Sequence, residues 1–138
     1  MLKLYYKIWV DCITKIRNAD SLWWQYKSMV SICFPSGIAF MFFTVILEHD
    51  VLGTHYYKLG LENYLYKPWC DLLELFILYF LPFIIINYFL IFYNKKYESL
   101  LKKYEYNNGR YILTFILSCM SIPILFFLKL ILFGQVHN

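Results

Sequence analysis

Glu74 and Lys129 are charged residues set within long apolar stretches of the chain. A charge in hydrocarbon costs about 2.5–3.5 kcal/mol at mid-depth, so such residues are retained for a reason. A carboxylate and an ammonium at matching depth could pass a proton or ion. The plainer reading is a structural ion pair, or two side chains reaching to the outer interface. Asp71 competes for the same lysine. Thr114, Ser118, Ser121 and Lys129 follow at spacings that share one helix face. Several copies of that face could line a water-filled path. Its plainer use is helix packing, at about 0.6 kcal/mol per hydrogen bond. Asn87 stands roughly 140° from Glu74 around an ideal helix, which breaks any continuous polar relay and argues against a pump.

Glu48, His49, Asp50 and His55 hold two imidazoles and two carboxylates. Zinc takes such ligands, yet the spacing fixes no third one, so neither a metal nor a cofactor is expected. No GxSxG, HExxH, P-loop or dinucleotide-binding glycine pattern occurs, and no catalytic residue is assigned. Lys95, Lys96, Lys102 and Lys103 form a basic cluster suited to acidic lipid, at about 1 kcal/mol per residue near the surface. They serve equally as topology determinants. Cys12, Cys33, Cys70 and Cys119 are far apart in sequence, and no disulfide within the chain is expected.

The elements that must carry these residues follow from composition. Of 138 residues, 61% are hydrophobic and 16% charged, against about 25% charged in soluble domains. Three uncharged runs of 18 to 20 residues account for the excess. A soluble globular enzyme, a disordered chain and a disulfide-rich secreted module are thereby excluded, leaving a small all-α integral membrane protein. The basic residues flank apolar runs, so the net charge of +4 points to a membrane rather than nucleic acid.

Residues 1–27 read as an amphipathic interfacial helix and anchor. Lys3, Lys7, Asp11, Thr14, Lys15 and Asn18 share one sector, opposite Tyr5, Ile8, Trp9, Cys12, Ile13 and Ile16. Residues 28–47 make the first span, about 30 Å long. Its Ser28, Ser31, Pro35 and Ala39 form a small-residue packing face. Residues 48–71 make an aromatic loop on the non-cytoplasmic side, and 72–93 the second span. Residues 94–110 form a basic helical extension and turn, with Asn107-Asn108-Gly109 the strongest turn signal. Residues 111–133 make the third span and 134–138 a tail. Spans two and three are expected to form an antiparallel hairpin, with Pro82 and Pro123 at one depth.

Lys and Arg number five before the first span, two in the 48–71 loop, five in 94–110 and none in the tail. That alternation predicts an N-terminus on the cytoplasmic or matrix side and a C-terminus opposite. The scarcity of alanine (Ala19 and Ala39 alone) beside abundant Tyr, Phe, Ile, Lys and Asn resembles small membrane proteins of AT-rich bacteria. It resembles small subunits of organellar respiratory complexes equally, and neither resemblance assigns a residue. The expected location is a bacterial cytoplasmic or organellar inner membrane. The expected role is an accessory subunit contacting lipid and other membrane subunits. The alternatives are a homo-oligomeric pore or membrane-perturbing effector and, less favoured, an enzyme or metal site in residues 48–55.

Overall fold

The computed structural model describes residues 2–19, 22–48 and 67–133, and these are helical throughout apart from short turns. Three helical rods are long and apolar enough to cross a membrane, as the uncharged runs require.

Helix α1 (Leu2–Ala19) comes first, followed by a break at which Trp23 takes left-handed backbone angles. The first span is α2 (Trp24–Leu47). The second is composite: α3 (Lys67–Leu75), a π-helical turn over Phe76–Phe80, α4 (Leu81–Asn87), and a second π-helical turn over Tyr88–Phe92. Pro82 sits at the start of α4, directly after the first wide turn. A proline ring clashes with the carbonyl four residues back, and a π-turn relieves the clash by widening the preceding coil. At Asn94 and Lys95 the backbone turns left-handed, so the basic extension does not continue the span. It resumes beyond that kink as α5 (Lys96–Lys103). The third span is α6 (Arg110–Phe133).

The expected hairpin of adjacent spans two and three is not the packing found. The first span lies between the other two, running along α6 on one side and along the second span on the other. Small residues are the reason. Gly37 is buried where a Cβ would stand 2.5 Å from the Phe80 ring and 3.0 Å from the Tyr79 carbonyl. That absence lets the second span close directly onto the first. Phe34 stacks on Phe80 at 5.6 Å, and Phe40 meets Tyr79 and Phe83. On the opposite side Phe42 meets Phe126 and Phe127 at 5.4 and 5.6 Å.

The core lies at one end of the bundle. Trp9, Cys12, Ile13, Ile32, Ile91 and Ile112 cluster there, drawn from α1 and all three spans. Helix α1 packs against α2, α5 and α6 together.

Candidate functional site

The polar chemistry concentrates where α1 meets the spans. Asp11 is completely buried, although its helical sector reads as solvent-facing. Its two carboxylate oxygens accept the backbone N–H groups of Asn107 at 2.6 Å and Tyr111 at 2.9 Å. The need for the second lies in α6, to which Tyr111 belongs. A helix begins with N–H groups that lack intrahelical partners, which a side chain at the N-cap normally accepts. Here that place is held by Gly109, which has no side chain and takes φ +75°. Asp11 supplies the missing acceptor from a distant helix, and its negative charge suits the positive end of the α6 dipole.

The same stripe of α1 completes the joint. Lys7, one turn before Asp11, sets its ammonium 5.5 Å from the centre of the Tyr111 ring. Lys15, one turn after, lies across Gly109, where a Cβ would stand 2.8 Å from its side chain. The sector predicted to face water is therefore the face that docks on the start of α6. Amphipathic periodicity locates charges on a helix; it does not reveal which of them meet orphaned backbone donors. The available signal was Asn-Asn-Gly ahead of an apolar run, a helix start with glycine in the capping position.

The opposite sector of α1 is engaged as well. The Tyr5 hydroxyl donates to Oδ1 of the buried Asn87, whose Nδ2 donates to the Phe83 carbonyl at 2.6 Å and to Cys33 Sγ at 3.5 Å. Burial raises the Tyr5 phenol above its usual range, and the neighbouring Trp9 indole opposes this only in part. The Cys12 thiol donates to the Ser28 carbonyl at 3.8 Å. Burial pushes that thiol up to about 12, which keeps it protonated and inert. Trp9 meets Phe92 edge-on at 5.6 Å. Tyr5, Asp11 and Asn87 thus join α1 to two spans, and sequence reading assigned none of them as a site.

The residues singled out from sequence fall elsewhere. Ser28, Pro35 and Ala39 are buried and Ser31 is half-buried. Thr114, Ser118 and Ser121 are exposed on the outside of α6. The Thr114 hydroxyl donates to the Arg110 and Tyr111 carbonyls, and that of Ser121 to the Ser118 carbonyl. Glu74 is half-buried in α3 and Lys129 is exposed on α6, with the first span between the two rods. Lys95, Lys96, Lys102 and Lys103 are exposed. Lys96 and Lys103 lie over the Tyr93 and Tyr104 rings. The cysteines are free thiols. Among the described residues no three His, Cys, Asp or Glu stand together as a metal site. His49, Asp50 and His55, with most of the 48–71 loop and the 134–138 tail, lie outside the described residues.

Comparison with protein-family models, curated proteins and solved structures finds no match.

Proposed function

We propose that the chain is a structural subunit of a larger membrane assembly, acting through helix packing and lipid contact. The observation that carries this reading is the disparity in burial along the spans. Only 28%, 11% and 6% of the residues in the apolar windows of the first, second and third spans are buried within the chain. Two rods therefore offer nearly their whole length to lipid or to other helices. The buried polar groups support a structural role too. Asp11 and Asn87 spend their hydrogen-bonding capacity on backbone and side chains that join helices. In this reading α1 braces the bundle on the cytoplasmic or matrix side, where basic residues gather, and the C-terminus lies opposite. No catalysis and no cofactor enter it.

The test is purification of the tagged chain from its native membrane in mild detergent, with mass spectrometry of the co-eluting proteins. A stoichiometric set of other integral membrane proteins is expected. A homogeneous oligomer of this chain alone would overturn the reading.

The exposed hydroxyl face of α6 favours one second reading, a pore assembled from several copies with Thr114, Ser118 and Ser121 toward the lumen. Ser118→Leu with Ser121→Leu then abolishes conductance in planar bilayers. In the subunit reading the same change weakens co-purification and no conductance exists to lose.

A further inference from the structure

A groove of about 570 Å³ opens between the second half of α1 and the first turns of α2 and α6. That volume lies within the range of small-ligand clefts, about 300–1,000 Å³. Lys15, Lys27 and Tyr26 line it together with the apolar Val30, Ile112 and Ile116. Chain order sets Val30 one turn further into the first span than Lys27, and Ile112 and Ile116 one and two turns beyond the Gly109 that Lys15 covers. Lys27 immediately precedes the uncharged run of the first span, and Lys15 lies over Gly109, immediately before the third. Both ammonium groups therefore sit where two parallel spans leave the hydrocarbon, and the apolar walls continue into it. A tyrosine at that level is typical of the membrane interface.

The geometry points to an acidic phospholipid as the occupant, its phosphate between Lys15 and Lys27 and one acyl chain along Val30, Ile112 and Ile116. The argument is charge complementarity coupled to orientation. Two cations at the headgroup level select an anion, and walls that descend into the bilayer select an amphiphile over a soluble phosphate. The site is distinct from the basic cluster on α5, which lies on another element and lines none of this groove. It requires only that the chain reside in a membrane, so it stands or falls separately from the subunit role.

The full-length chain in mild detergent, titrated with phosphatidylglycerol or with phosphatidylcholine of matching acyl chains, tests this by native mass spectrometry. One retained phosphatidylglycerol per chain is expected, with retention of phosphatidylcholine at least about tenfold lower. Lys15→Gln with Lys27→Gln lowers phosphatidylglycerol retention about 25-fold, at about fivefold per lysine. Ile116→Trp fills the groove, keeps both charges and abolishes retention. Lys95→Gln with Lys96→Gln leaves retention unchanged. Equal retention of the two lipids would overturn the proposal. So would full retention in the Lys15/Lys27 or the Ile116 variant, or an equal loss in the Lys95/Lys96 variant, which would mean diffuse surface charge. Displacement of the bound lipid by soluble glycerol phosphate would assign the rim to a free phosphate and overturn the lipid assignment.

Discussion

The two ends of the bundle are built on different terms. Where α1 lies, four helices meet, and the core residues Trp9, Ile13, Ile32 and Ile91 are sealed from the surface. There the polar groups Asp11, Asn87 and Ser28 are buried and bonded. Toward the far end the second half of α6 exposes Ile124, Leu125, Leu128 and Ile131, and aromatic pairs such as Phe42 with Phe126 join it to its neighbour. One end is held by specific polar joints that a soluble protein would recognise as a core. The other brings aromatic rings of neighbouring rods together and leaves much of its apolar surface exposed. The buried polar joints of the chain therefore gather at the α1 end, and its exposed apolar surface gathers at the other.

That contrast can be broken most severely at Trp9. Trp9→Ala should cost about 4 kcal/mol, the usual loss for a large buried aromatic, read as a lowered unfolding midpoint in mixed micelles. Asp11→Ala should follow at about 3 kcal/mol, because two backbone N–H groups at and just before a helix start lose a buried, charged acceptor. Asp11→Asn, which keeps an acceptor without the charge, should fall about midway. Gly37→Ala should cost about 2 kcal/mol by forcing the second span away from the first. A loss confined to unfolding in Asp11→Ala, with α6 helicity intact by hydrogen exchange, would show that the cap serves packing more than helix initiation. Ser118→Leu should change the stability of the isolated chain by less than about 0.5 kcal/mol. A larger loss there would mean that the exposed face of α6 takes part in the chain's own folding.

The smallest effect at neutral pH concerns protonation. The Cys12 thiol is raised from 9.0 to about 12, and the Tyr5 phenol is raised as well. In both, the folded chain keeps a proton that the unfolded chain gives up. Stability is then flat below about pH 9 and declines as pH climbs from 9 toward 12. Iodoacetamide labelling at Cys12 checks the same environment. It should be negligible in the folded chain at pH 8.5 and rapid after denaturation, and Trp9→Ala should accelerate it.

The sequence discloses these two ends unequally. The spans are legible because hydrocarbon thickness imposes a minimum length and a near-absence of charge, both visible in a linear string. Which spans touch is not legible that way. It depends on Gly37, which a string marks as a weak point in a helix and the fold uses as a place of contact. The helical period of α1 is likewise visible, and it marks a polar sector without showing what that sector meets. Lys7, Asp11 and Lys15 are polar on every scale, and what buries Asp11 is a partner joined by hydrogen bonds across 96 and 100 residues of chain. No local pattern encodes that separation. The Thr114, Ser118 and Ser121 stripe shows the converse. Its spacing is regular, and its hydroxyls bond to their own helix rather than to another.

The bond between Asp11 and the start of α6 also orders events in time. Helix α1 precedes α6 in the chain, so its carboxylate waits while the two rods between them are made. A chain that stops short of Tyr111 leaves one of the Asp11 carboxylate oxygens without its donor. That joint therefore closes only after all three rods have been made, and its closure fastens the latest of them to the first helix.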